Sequence, residues 1–177
     1  MKSFFAALFS VVLVGISGCA SVQMKEASLI KSPGEQKAIV NVVRTSIFFG
    51  DGKSIDIWDG STFVGSLDPG HIIQIEVTPG KHVFTADYDG HSIAAGVLVA
   101  GKQYFIKSNI IPGPFGGHIV LGVAKLNDKR PPEWTRTLKP VAAPENERNE
   151  VELEKKSDVQ KILAKYESGK ISAFSTI

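Results

Sequence analysis

A chain of 177 residues with 43% hydrophobic residues is long enough to bury a sizeable core, and its length suits one folded unit rather than two. Its formal charge is +2, and its 20 Lys and Arg are interspersed with 18 Asp and Glu, so no electrostatic footprint for nucleic acid is present. One cysteine excludes an intramolecular disulfide and a thiolate metal cluster, which leaves core packing as the source of stability.

The N-terminus is a secretory leader by its pattern. Lys2 is a positive n-region, Phe4 to Ile16 is a thirteen-residue, predominantly apolar h-region, and Ser17, Gly18 and Ala20 are the small residues of a processing site. The four residues Ile16-Ser17-Gly18-Cys19 resemble the lipobox of bacterial lipoproteins. That resemblance implies cleavage between Gly18 and Cys19, diacylglycerol on the Cys19 sulfur, and a palmitate-type acyl group on the new amino group. Each buried methylene contributes on the order of 0.8 kcal/mol, so two or three chains hold a protein firmly where one holds it marginally. Ala20 stands where an Asp would favour inner-membrane retention, which points to the outer membrane, facing the periplasm, in a Gram-negative cell. Two other readings compete. The stretch from Ser3 to Met24 carries no charge and could just span a bilayer uncleaved, although Gly15, Ser17, Gly18, Ser21 and Gln23 weaken it. The alternative is an ordinary cleaved leader with an incidental cysteine.

Residues 19–36 are polar and mixed, with Pro33 and Gly34 near the end, and are expected to form a lipidated N-terminus and flexible linker. From Lys37 the pattern turns to short β-rich runs punctuated by turn residues. The expected strands are Lys37–Arg44, Ser54–Trp58, Ser61–Leu67, His71–Val77, Lys81–Tyr88, His91–Val99, Lys102–Ile110 and His118–Leu126. Asp59-Gly60 is expected as the two-residue turn between the second and third. This spacing predicts an all-β domain over 37–126, a mainly antiparallel β-sandwich or open barrel. Residues 127–156 carry Pro131, Pro132, Pro140 and Pro144 and are expected to be extended or irregular, with Glu150–Glu154 as a late edge strand. Ser157 and Gln160 form a capping box, and Val159, Ile162, Leu163 and Tyr166 share one helical face. A short C-terminal amphipathic helix is therefore expected within 157–177, stopping at Gly169 and packing on the core, with partner or membrane docking as the lesser reading.

The pieces "AIVNVVR", "DGSTFVGSL", "TPGKHVF" and "AGKQYFIK" resemble the lipoprotein-associated β-sandwich family of unknown function designated DUF2846. The "DGSTFVG" and "PGKH" pieces are also similar to small transthyretin/PEGA-like surface modules, whose naming motif is not intact here. The resemblance covers under half of the chain and rests on turns and alternation. It implies a β-sandwich on an envelope lipoprotein and implies no activity.

Chemistry-bearing motifs are sparse. No G-x-S-x-G elbow lies in the mature chain, and no H-E-x-x-H or Walker A spacing occurs. His71, His82, His91 and His118 fall on different predicted strands and are expected to be exposed or hydrogen-bonded rather than metal ligands. Asp87 and Asp89 would point to the same side of a strand and could hold a cation, but they lie at the Gly90 turn and, like Asp51 and Asp59 before their glycines, read better as turn formers. The segment "IPGPFGG", Ile111 to Gly117, precedes β-branched residues rather than a helix, which disfavours phosphate binding. Two readings stay open for its Pro114 and Phe115: a plug at one end of the sandwich, or an apolar contact loop touching lipid or protein. No catalytic residue, metal or cofactor is expected. The functional expectation is a non-enzymatic interaction or structural module with an envelope protein partner and a membrane anchor, and no nucleic acid. The alternative is a small-ligand or glycan binder with a mouth lined by Trp58, Tyr88 or Tyr104. A hydrolase assembled from distant residues ranks last.

Overall fold

The computed structural model describes residues 22–47, 52–88, 90–113, 116–125 and 127–177. The strands are β1 (Lys25–Glu26), β2 (Ala38–Arg44), β3 (Ile55–Asp59), β4 (Thr62–Leu67), β5 (His71–Val77), β6 (Gly80–Asp87), β7 (His91–Leu98), β8 (Gln103–Gly113), β9 (Gly116–Val123), β10 (Lys139–Ala142) and β11 (Ser175–Thr176). Helix α1 (Pro131–Thr137) precedes β10, and α2 (Glu145–Glu167) follows it. One sheet has the order β1-β10-β5-β2-β8-β9, the other β11-β7-β6-β3-β4. The expected sandwich is what forms, although β2–β8, β10–β5 and β11–β7 pair in parallel.

Alternation along the strands sends one set of side chains between the sheets, among them Val40, Val42, Ile57, Ile73, Phe84 and Ile106. All seven residues of β2 are buried, because both faces of that strand are covered. On its outer side Val43 packs with Ile72 and Trp134, and Leu29 and Phe105 close over them. Asn41, at the centre of this strand, donates to Tyr104 O at 3.1 Å and accepts from Gln74 Nε2 at 2.8 Å. Gln74 in turn accepts the Ile30 N–H, which fastens the segment before β2 onto the sheet.

Three expectations need correction. The linker over 19–36 is, from Val22 onward, part of the fold: Val22 is buried, β1 pairs with β10, and Gly34 N–H donates to Glu76 Oε1 at 2.8 Å. The proline-rich stretch over 127–156 is not simply extended. Pro131 and Pro132 start α1, where a missing N–H is no loss, and Trp134 anchors that helix in the core. The predicted edge strand Glu150–Glu154 lies inside α2, which starts at Glu145 and is 23 residues long rather than short. Ser157 is consequently a mid-helix residue and not a cap. Glu, Leu and Lys are strong helix formers, and Val151 joins Val159 and Ile162 on one buried stripe, so propensity and packing both favour the longer helix. The domain therefore runs from Val22 to Ile177, beyond the expected 37–126.

The stripe Val159, Ile162, Leu163 and Tyr166 makes the expected core contact. Helix α2 lies across the outer face of the second sheet, with Val151 and Val159 against Trp58 and Phe63, and Ile162 against Ile93 and Ala95. Trp58 and Phe63 meet edge to face at 5.0 Å. Polar pairs fix the register: Lys155 Nζ to Asp56 Oδ2 at 2.5 Å, and the Phe63 N–H to Glu152 Oε1 at 2.8 Å. The helix stops at Glu167, and Gly169, the expected stop residue, lies just past its end, where a φ of 71° permits a left-handed cap, with Gly169 N–H on Tyr166 O and Lys170 N–H on Lys165 O.

Candidate functional site

The two sheets close on each other at two seams. At one, β4 approaches β5, and Met24 fills the space over Gly65. At the other, β9 approaches β7 and β11. This second seam is stitched by two hydroxyls: the Leu121 N–H donates to Ser92 Oγ at 2.9 Å, and Ser175 Oγ donates to Leu121 O at 2.7 Å. Ser92 and Ser175 thereby satisfy a strand edge that would otherwise be unpaired.

Beside this stitch lies a half-open cleft of roughly 650 Å³, bounded by β7, β8, β9, the last turns of α2 and the segment before β11. Its walls are mainly apolar, with Ile93, Ile119, Ile162 and Ile171 below and Ile111 and Phe174 above. Ile111 is 40% and Phe174 61% exposed, an unusual cost for large apolar side chains gathered at one opening. His91, His118 and Lys165 stand at the rim. His91 Nδ1 lies 3.2 Å from Asp87, so that carboxylate faces the same rim. The cleft suits an apolar body and can orient a polar end through its imidazoles and ammonium.

The four histidines separate into two kinds. His91 and His118 come together at the cleft although they sit on strands of different sheets, a pairing their sequence spacing does not reveal. His82 is enclosed: Nδ1 meets Asp59 Oδ2 at 2.7 Å, Nε2 meets Thr78 O at 2.8 Å, and the ring stacks on Phe84 at 6.0 Å. Both of its nitrogens are engaged by oxygens, so this Asp–His pair ties β3 to β6 and the turn before it rather than presenting a base to a nucleophile. Burial of the Asp59 carboxyl raises its pKa, against the lowering by His82. The expectation of a turn-forming Asp59 is corrected here. Asp59 is a strand residue opposite Thr62, and the two-residue turn is Gly60-Ser61, with Gly60 at φ 56°. His71 Nδ1 bonds Pro69 O at 2.9 Å and borders a more polar hollow of roughly 560 Å³ with Ser54, Ser66, Asp68 and Val22.

Trp58 does not line an open mouth, being 1% exposed beneath α2. Tyr88 and Tyr104 are half-buried against the main core, and the Tyr104 hydroxyl accepts the Val99 N–H at 3.0 Å. Gly18, Cys19, Asp51, Asp89, Pro114 and Phe115 lie outside the described residues. Among the described residues, no three of His, Cys, Asp and Glu are grouped so as to hold a metal ion, and no helix is long and apolar enough to cross a membrane. No family model matches the chain, and no curated protein or solved structure matches it.

Proposed function

We propose that this chain is a lipid-anchored cell-envelope protein that works by binding, not by catalysis, and that its working surface is the cleft between β7, β9 and α2. The observation that carries the reading is the exposure of Phe174 and Ile111 at the mouth of an apolar cleft, which costs solvation unless something covers it. The leader pattern and the lipobox-like Ile16–Cys19 supply the anchor, and Ala20 supplies the outer-membrane assignment. The DUF2846 resemblance agrees with an envelope lipoprotein built on a β-sandwich. The favoured occupant is an apolar segment of an envelope protein partner.

Two measurements test this. The N-terminal peptide from a purified membrane fraction is expected to begin at Cys19 and to carry the mass of its acyl chains, whereas an unmodified Cys19 refutes the anchor. Phe174→Asp is expected to abolish crosslinking of the membrane-bound protein to its partner while leaving the fold intact, since the side chain is largely in water. Unchanged crosslinking refutes the cleft. A second reading, binding of a small amphiphile, is favoured by the isoleucine walls beneath a rim of His91, His118 and Lys165. Under that reading long-chain fatty acids raise the melting temperature of the wild type by mass action and do not raise that of Phe174→Asp.

A further inference from the structure

We propose that the domain is seated directly on its membrane through one defined end, where β1, β10 and the first turn of α2 meet, instead of swinging on a tether. The inference rests on acylation of Cys19 and adds the surface that meets the lipid headgroups.

Its basis is how early the chain becomes fixed. Only three residue steps separate Cys19 from Val22, a reach of about 10 Å at full extension. Val22 is buried among Trp58, Phe63, Val151 and Val159, so it cannot be drawn out without opening that cluster. The next residues are held one after another. Gln23 N–H donates to Glu147 Oε2 at 2.8 Å, the Met24 side chain lies over Gly65, Lys25 and Glu26 pair with Ala142 and Val141, and Ala27 N–H donates to Pro140 O at 3.0 Å. A free linker over the same stretch would let the domain wander by its own coil dimensions, roughly 5 to 6 Å times the square root of its length. The observed packing leaves only the three steps.

The rest of the molecule extends away from this end. From Glu147 to Glu167 helix α2 advances about 30 Å at 1.5 Å per residue. Across the first sheet, β9 stands five strand spacings from β1, about 24 Å. The seam with the Phe174 cleft is therefore held clear of the anchoring bilayer, open to a partner from the aqueous side.

The acylated full-length protein allows a direct test, because a lipidated Cys19 has no free thiol and any introduced cysteine is then the single labelling site. Fluorophores are placed on Lys25→Cys, Asn146→Cys, His118→Cys and Lys170→Cys, all exposed positions. The protein is reconstituted in vesicles of phosphatidylethanolamine and phosphatidylglycerol that carry a headgroup nitroxide quencher. Labels at 25 and 146 are expected to be quenched severalfold more strongly than those at 118 and 170. Equal quenching at all four, or stronger quenching at 118 or 170, overturns the seating. Two labels per chain in the intact mass mean an unmodified Cys19, and that outcome instead removes the anchor on which the seating depends.

Discussion

Gly96→Ala isolates the last strand of the fold in one substitution. Gly96 lies in the middle of β7, and a Cβ built there falls 2.7 Å from the Ile177 carbonyl oxygen, 2.8 Å from its Cβ and 3.1 Å from its Cα. Two of these three atoms are backbone, so no side-chain rotation relieves the overlap, and the segment carrying β11 has to move off. The bonds then at risk are Ile177 N–H to Ala95 O at 3.0 Å, Phe174 N–H to Ile93 O at 2.7 Å, and Ser175 Oγ to Leu121 O at 2.7 Å. At about 0.5 to 1.5 kcal/mol net for each, the loss is about 1.5 to 4.5 kcal/mol. For a domain of this size that lowers the melting temperature by roughly 3 to 18 °C.

Gly122→Ala is the matched control. It too is a strand glycine, but its added Cβ meets nothing closer than Lys107 O at 3.9 Å, an ordinary contact. Denaturant unfolding measures both variants, and amide exchange at Phe174 and Ile177 reports whether β11 has detached. If Gly96→Ala stays within about 0.5 kcal/mol of Gly122→Ala with both amides still protected, β11 does not pack on β7 as described.

Thr85→Val should stabilise the protein by about 1 kcal/mol, because the Thr85 hydroxyl is fully buried and has no hydrogen-bond partner among the described residues; a lower urea midpoint contradicts this. Ser92→Ala removes the acceptor of the buried Leu121 N–H and is expected to cost about 1 to 2 kcal/mol, with faster exchange of that amide as its local signature. The Asp59 carboxyl, raised above 3.8 by burial, holds its proton more tightly in the native state than in the unfolded chain. Its stabilising contribution is therefore complete below 3.8 and lost as pH rises through the native value. Asp59→Asn is expected to abolish that part of the slope, and urea midpoints that run parallel to wild type across the window refute the assignment.

The strands from Ala38 to Val123 were legible because each apolar run is bounded by its own turn chemistry, such as Asp68-Pro69-Gly70 or Asp89-Gly90. What surrounds them was less so. Val22 and the Leu29-Ile30 pair are short apolar pieces in a polar stretch, and only the near-continuous β-branched run of β2, broken by Asn41 and without the alternation of a half-solvated strand, hinted that something must cover its second face. Pro131-Pro132 reads as a breaker until the following Trp134 is weighed, since two prolines are compatible with a first helical turn. "EVELE" satisfies a period of two and a helical stripe equally well over five residues, and only its continuation to Val159 and Ile162 separates them. The cleft was invisible in the sequence because His91 and His118 meet only through packing between the two sheets.

The parts missed in sequence share a physical role. β1 and β10 extend the first sheet past β5, β11 extends the second past β7, and Glu152 of α2 takes the Phe63 N–H of the outermost strand β4. Each supplies partners to backbone groups that would otherwise form an open edge, the feature through which β proteins aggregate. Under the membrane anchoring proposed above, such sealing matters more, because copies held on one surface meet at high local concentration. It also bears on how a partner is met. With these edges occupied, adding a strand to the sheet is disfavoured, and the apolar cleft around Phe174 becomes the better-provided surface for recognition through side chains. A bound partner should accordingly respond strongly to Phe174→Asp and weakly to Glu152→Ala, which uncovers the Phe63 N–H on the β4 edge. The reverse order of sensitivity would move the binding surface from the cleft to the sheet.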